Sequence, residues 1–228
     1  MYTSIVTTLH DNSAHGDDSF LVRPLGNMAF LDAVMDGISG RKGGEASHLV
    51  RDALAAAPLT SPDDVLTALT EVNQQLFRRG RGLMLLTTLS AVLCLDDTLH
   101  VISAGDSPIL LVRPDSSQAL FSDVRGFLFA GVARGIGLGR RLGKLYRAEV
   151  KVAPGDRLIV ATDGITDSIP PHALVTLIRS ATSPEDAAAQ IRTRITSRYE
   201  TADRSGPIDR FFRRDDWTAI IRFFTPVG

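Results

Sequence analysis

Carboxylates recur in this sequence at one kind of place, where an apolar run meets a turn or a helix start. Asp17-Asp18 precede "SFLV", Asp36-Gly37 end "LDAVM", and Asp106 follows "VISAG". Asp163-Gly164 end "LIVAT", with Asp167 one helical turn on, and Asp215-Asp216 precede "WTAII". Such apolar runs are what mostly buried strands require. A carboxylate at the end of one must face water, pair with a cation or hold a metal, because burying it alone is very costly. Strand ends on one edge of a layered sheet are gathered by the fold, so these groups can converge. Two such charges roughly 4 Å apart would repel by about 4 kcal/mol at an effective dielectric near 20. Hard divalent cations relieve that repulsion, and an oxygen-only donor set without His or Cys selects Mg²⁺ or Mn²⁺ over Zn²⁺. The glycines after Asp36 and Asp163 let backbone or water come close to an ion. Taken singly, each Asp-Gly is also an ordinary strand-ending turn.

The elements that must position these groups are legible in the hydrophobic pattern. "TSIVTTL", "DSFLVRP" and "NMAFLDAVMD" have strand character. After Gly43-Gly44, "EASHLVRDALAAA" has helical spacing, and "SPDDVLTALTEVNQQLFRRG" opens on a helix start signal. "MLLTTLSAVLCL", "TLHVISAG" and "PILLVRP" follow as strands, with Asp96-Asp97 turning between the first two. A less regular stretch covers residues 115–146. "RAEVKV", the turn "APGD" and "RLIVATDG" give two more strands, then come two helices, "PHALVTLIRSA" and "SPEDAAAQIRTRITSRY", and a last strand, "WTAIIRFF". Strands in runs rather than alternating singly with helices argue for antiparallel sheets, an α+β class, and against a doubly wound fold. Two sheets face to face with a helix pair outside each would bury every apolar face.

Composition narrows the function classes. Of 228 residues 44% are apolar, enough for one sizeable core, so a single domain spanning 1–228 is expected. With 25 basic and 26 acidic side chains the net charge is −1, which gives no field suited to nucleic acid or an anionic membrane. No apolar window approaches the roughly 18 residues of a membrane span, and "MYTSIVTTLHDNSAHGDD" lacks the pattern of a secretory signal. The single cysteine, Cys94 in "LSAVLCL", has no activating neighbour and is expected to be a core thiol, which fits a cytoplasmic protein.

The ordered set "DDSFLV", "AVMDGISG…GGEAS", "TTLSAVL…LHVISAGDSPILLV", "APGDRLIVATDGITD" and "RDDWTAII" resembles the metal-dependent protein phosphatases of the type-2C family, in their compact bacterial form. Each motif is weak alone; five in order over nearly the whole chain are specific. The resemblance implies a four-layer α-β-β-α sandwich and hydrolysis of phosphoserine or phosphothreonine by water activated between two Mg²⁺ or Mn²⁺ ions. By this similarity Asp36 bridges two ions and the Gly37 carbonyl ligates the second. Asp163 and Asp215 complete the shell of the first ion. Asp17, where the family usually has Glu, reaches the second ion, and Asp18 holds a water there. Asp106, Asp163 and Asp167 match a third metal site of bacterial members. Asp36, Asp163 and Asp18 would carry the chemistry. The implied partner is a phosphorylated protein, such as a small anti-sigma-type regulator of bacterial stress signalling. Asp215 and Asp216 are alternatives as ligand, the family pattern favouring the first.

Three positions depart from that pattern. Ser13 stands where members commonly have a phosphate-gripping arginine, with His15 and Arg23 nearby. Ile38 stands where some have a histidine after Asp-Gly, so the leaving-group proton must come from water at the site. The segment between Asp106 and Asp163 is short, so the flap subdomain within 115–146 is reduced or rearranged. The basic run "ARGIGLGRRLGK", 133–144, either offers Arg140, Arg141 or Lys144 on a mobile loop or is a solvated surface. Arg213 and Arg214 stand directly before Asp215, and Phe211-Phe212 suit a core or interface. These departures motivate an alternative, a phosphatase-like binding module with weak turnover.

Overall fold

The run "AFLDAVMD" shows no polar–apolar alternation because both faces of its strand are covered. In the computed structural model, which describes residues 2–26, 28–38, 42–80, 85–121, 135–205 and 214–227, this strand lies in the second of two stacked five-stranded sheets. One sheet has the order β1 (Tyr2–Asp11), β10 (Trp217–Pro226), β9 (Arg157–Ala161), β6 (Ile109–Val112), β7 (Ser117–Phe121). The other runs β2 (Asp18–Gly26), β3 (Ala29–Asp36), β4 (Leu89–Leu95), β5 (Thr98–Ala104), β8 (Tyr146–Lys151). Every neighbouring pair is antiparallel.

Helices α1 (Gly43–Ala56) and α2 (Pro62–Gly80) cover the outside of the β2–β8 sheet, sealing Leu31, Met35, Val50, Leu69 and Leu93. Helices α3 (Asp163–Ser168), α4 (Pro171–Ser180) and α5 (Pro184–Ser205) cover the other sheet over Leu9, Ile159, Ile178, Ile191 and Ile221. Between the sheets, Phe30, Val34, Val92, Leu111, Ile220 and Phe224 form a third apolar layer. The result is the expected four-layer α-β-β-α, α+β sandwich. A charged pair crosses its middle layer: Arg222 on β10 donates from Nε and Nη2 to both oxygens of Asp32 on β3, at 2.7 and 2.8 Å. Its guanidinium also lies 3.7 Å from the Phe30 ring centroid.

Three details differ from the sequence reading. The strand drawn from "MLLTTLSAVLCL" starts only at Leu89; before it, Thr87 makes isolated bridges to Gly37 and Ile136. "RLIVATDG" leaves the sheet after Ala161, and Asp163 opens a six-residue helix instead. The 115–146 stretch includes a strand, β7, which extends the first sheet beside β6. Cys94 is buried, as expected, and burial pushes its thiol up to about 12. No described helix is long and apolar enough to cross a membrane.

Candidate metal centre

Asp36 ends β3, Asp106 follows β5 after Gly105, and Asp163 begins α3 after β9. These three ends meet at one edge of the sandwich, where one carboxylate oxygen of each lies within 4.8 Å of the others. The three residues keep a partly exposed rim, yet lost hydration is the main perturbation of both Asp36 and Asp163. Asp163 is pushed up to about 7, by burial first and then by Asp106, Asp167 and Asp215, with a hydrogen bond from Asp36 opposing. Asp36 is raised well above the ordinary carboxylate range by burial, then by Asp163, Asp18, Asp106 and Asp215. Asp167, a turn beyond Asp163, is raised by burial, Asp215 and Asp106, against the pull of Arg198. The charges acting most strongly on Asp36 are therefore four other carboxylates. That is an arrangement a divalent cation would stabilise, and the donors are all hard oxygens, which fits Mg²⁺ or Mn²⁺.

Hydroxyls and glycines fix the cluster. Thr88 Oγ1 accepts the Asp36 N–H at 3.0 Å and lies 3.0 Å from Ser107 Oγ, so one buried side chain ties Asp36 to the neighbour of Asp106. Gly105 has φ +121°, and a Cβ there would stand 2.6 Å from the Thr88 Cβ. Gly164 passes so close to Asp216 that its Cβ would lie 2.1 Å from that carbonyl oxygen. These are the physical reasons for a glycine beside each of those two aspartates.

The remaining candidates surround this cluster. Asp18 is buried, and its Oδ2 accepts from both Thr162 Oγ1 (2.8 Å) and Thr218 Oγ1 (2.7 Å). Burial raises it to about 7, the two threonines pulling down and Asp216 and Asp215 up. Asp17 Oδ1 accepts the Gly44 N–H at 2.8 Å in the first turn of α1, and its carbonyl accepts the Gly37 N–H at 3.1 Å. Asp215 and Asp216 have separate surroundings. Asp216 is buried and gathers the 14–17 loop, Oδ1 accepting from the N–H of Ala14 (3.0 Å) and His15 (2.9 Å), Oδ2 from that of Asp17 (2.8 Å). The Asp215 carboxylate is 43% exposed and lies 3.1 Å from His15 Nδ1.

Thr88, Thr162 and Thr218 went unread in the sequence, since no spacing rule links hydroxyls to partners more than fifty residues away. Thr162 does stand where an N-cap residue is expected before "DGITDS", but its hydroxyl goes to Asp18 and makes no cap bond.

The Ser13 N–H bonds Asp11 Oδ1 at 2.8 Å. Arg23 is committed elsewhere: its Nη1 donates to the Leu54 and Ala57 carbonyls, at 2.8 and 2.7 Å, closing the C-terminal end of α1. Of the basic run, the described part from 135 on is seated against the fold. Buried Asn73 on α2 accepts from the Gly137 N–H (2.8 Å) and donates to the Gly139 carbonyl (3.0 Å), and Ile136 exchanges two backbone bonds with Thr87. Arg140, Arg141 and Lys144 project from it exposed, and Leu138, Arg141, Lys144, Leu145 and Ala104 line a pocket of about 400 Å³, two residues from Asp106. Arg134, Phe211, Phe212 and Arg213 lie outside the described residues, as do Ser39 and Gly40 of "GISG".

The model of the family described as stage II sporulation protein E (SpoIIE) matches residues 39–221. No curated protein matches the sequence. Among solved structures, "PppA, a key regulatory component of T6SS in Pseudomonas aeruginosa" superposes with TM-score 0.79 at 20% identity, covering 97% of both chains. The serine/threonine phosphatase Stp1 from Staphylococcus aureus gives 0.77 at 17% identity over 98% of this chain and 95% of its own. The catalytic domain of serine threonine protein phosphatase PstP in complex with two manganese ions gives 0.77 at 19% identity over 99% and 100%. At these identities the likeness is one of fold.

Proposed function

The chain belongs to the SpoIIE family, with the fold of the bacterial type-2C serine/threonine phosphatases, and from that footing we propose that it hydrolyses phosphoserine or phosphothreonine in a protein substrate with Mg²⁺ or Mn²⁺. The observation that carries this reading is the meeting of Asp36, Asp106 and Asp163 within 4.8 Å at one sheet edge. Asp36, Asp163 and Asp215 would hold one ion; Asp36, Asp17 and the Gly37 carbonyl a second; Asp106, Asp163 and Asp167 a third. Such ions supply a water of lowered pKa and neutralise the phosphoryl oxygens. Asp18, fixed by two threonine hydroxyls, would orient water beside the second ion. Ile38 after Gly37 offers no proton, so the leaving-group proton would come from water held at the site. The exposed Arg140, Arg141 and Lys144 would draw in the phosphoprotein, a small cytoplasmic regulator of signalling.

Hydrolysis of an aryl phosphate, measured in Mn²⁺ and in EDTA for the wild type and Asp163→Asn, tests the reading. Turnover that needs Mn²⁺ and is lost in the variant supports it; turnover persisting in EDTA overturns it. Phosphopeptides set against nucleotide and sugar phosphates then test the substrate class. Asp17 already bonding Gly44, together with Ser13, favours a second reading, a partner-binding module. Mn²⁺ binding without turnover on any phosphopeptide would select it.

A further inference from the structure

On the seam between the two sheets, His10 of β1 stands directly opposite Thr218 of β10. The residue is exposed at its outer edge, but its ring packs edge-on to Phe20 of β2 with centroids 5.2 Å apart, and its Nδ1 lies 2.9 Å from Thr218 Oγ1 in a partly buried contact. Thr218 is fully buried, and its Oγ1 donates to Asp18 Oδ2 at 2.7 Å. A hydroxyl has one proton. While the Asp18 carboxylate is ionised and receives that proton's hydrogen bond, Thr218 Oγ1 can only accept from the imidazole. The parallel branch obeys the same logic: Thr162 Oγ1 donates to the same Asp18 oxygen and accepts the Thr218 N–H at 3.0 Å.

We infer that His10 is a positioning residue for the carboxylate centre, a neutral imidazole fixed in its Nδ1–H tautomer that orients Thr218 and, through it, Asp18. Burial lowers the His10 pKa, in keeping with a neutral ring. Without the donor, the Thr218 hydroxyl is free to turn toward other acceptors and Asp18 loses one of two bonds on Oδ2. Asp18 in turn acts on Asp36, so its aim bears on cation binding. The tautomer and the bond chain stand on geometry alone; the consequence for Mn²⁺ rests on the phosphatase reading.

Two measurements decide the matter. In protein labelled with ¹⁵N at histidine, the His10 ring is expected to show a protonated Nδ1 and a bare Nε2; the opposite tautomer overturns the inference. Calorimetric Mn²⁺ titration then compares His10→Asn, whose amide nitrogen sits where Nδ1 was, with His10→Gln and His10→Leu. The direct partners of a metal's ligands are worth roughly 10–100-fold in affinity, so one bond further out a loss of about 3–10-fold is expected for Leu and Gln, with Asn restored to within about twofold. Thr218→Val should match His10→Leu, and the double variant should add little. Equal affinity in His10→Leu and wild type, or a His10→Asn as weak as His10→Leu, overturns the positioning role. A wild type that binds no Mn²⁺ refutes the phosphatase reading instead, and the tautomer measurement still tests His10.

Discussion

Gly37 and Gly43 meet backbone to backbone: a Cβ on Gly37 would stand 2.2 Å from the Gly43 carbonyl carbon, and one on Gly43 2.4 Å from that of Gly37. This contact presses the end of β3, which carries Asp36, against the first turn of α1, where Gly44 binds Asp17. Two candidate ligands, one ending β3 and one just before β2, are thus set by one glycine pair. Gly37→Ala or Gly43→Ala should destabilise by about 1–3 kcal/mol or more, as overpacking against backbone does, and weaken Mn²⁺ binding. Gly143→Ala, which meets nothing within 4 Å, should match the wild type in urea melts.

Mutual repulsion among the clustered carboxylates predicts opposite effects on stability and function. Asp163→Asn removes a charge that acts on Asp36 and Asp167, so the metal-free variant should melt higher than the wild type at pH 8. Repulsion near 5 Å is worth at most a few kcal/mol, roughly, at an effective dielectric of 20. The same change should lower Mn²⁺-dependent turnover by at least about a hundredfold, the scale on which lost charge stabilisation acts. A metal-free variant less stable than the wild type would contradict the cluster's electrostatics.

Stability of the metal-free protein should fall as pH rises from about 4 to 7. Asp18 and Asp163 stand at about 7 in the fold against an ordinary 3.8, so across this window the native chain keeps protons that the unfolded chain has released. His10, lowered by burial, opposes this only near its ordinary 6.5. The lowered carboxylates Asp11, Asp64, Asp97 and Asp186 act below 3.8 and leave the window untouched. Saturating Mn²⁺ should flatten the slope, because metal binding needs these groups ionised. Thermal melts in EDTA that rise steadily across the window would contradict the raised values.

The sandwich itself was legible because each layer has its own periodicity: the unbroken apolar run of "AFLDAVMD" marks a strand covered twice, and "PDDVLTALTEVNQQLF" an amphipathic helix. The Asp-Gly pairs were legible because burial forbids a lone carboxylate at a strand end. Helix α3 was missed since "DGITDS" is too short to show a helical period, and β7 since "SQALF" follows a turn and has only two buried residues. Arg23 stood near the site in sequence, and only the packing of β2 against α1 shows that its guanidinium closes that helix. Tertiary hydroxyl partners such as Thr88 and Thr218 leave no local mark.

Arg141 and Lys144 are expected to act on the substrate protein and not on the chemical step. Exposed ion pairs contribute about 0.2–1 kcal/mol each, so R141Q/K144Q should lower kcat/KM for an acidic phosphopeptide by about 2- to 30-fold. An aryl phosphate, too small to reach the pocket, should be hydrolysed unchanged. The difference should shrink with added salt, as screening requires. Equal losses on both substrates would place these cations in the reaction itself.

The neighbours Asp215 and Asp216 should separate cleanly into a ligand and a loop anchor. Asp216 is buried and holds three backbone N–H groups of the 14–17 loop, and hydrogen bonds to a charged acceptor are worth about 1.5–3 kcal/mol each. Asp216→Ala should therefore lower stability by on the order of 3 kcal/mol or more, and weaken Mn²⁺ binding only by releasing Asp17. Asp215 is half exposed, and its carboxylate bonds His15 and the N–H of Asp216. Asp215→Ala should change stability by less than about 1 kcal/mol yet reduce Mn²⁺ affinity at least about tenfold. Urea melts and calorimetry on the two variants give a two-by-two outcome. If Asp216→Ala melts like the wild type while abolishing Mn²⁺ binding, the ligand is Asp216, and its hold on the loop is incidental.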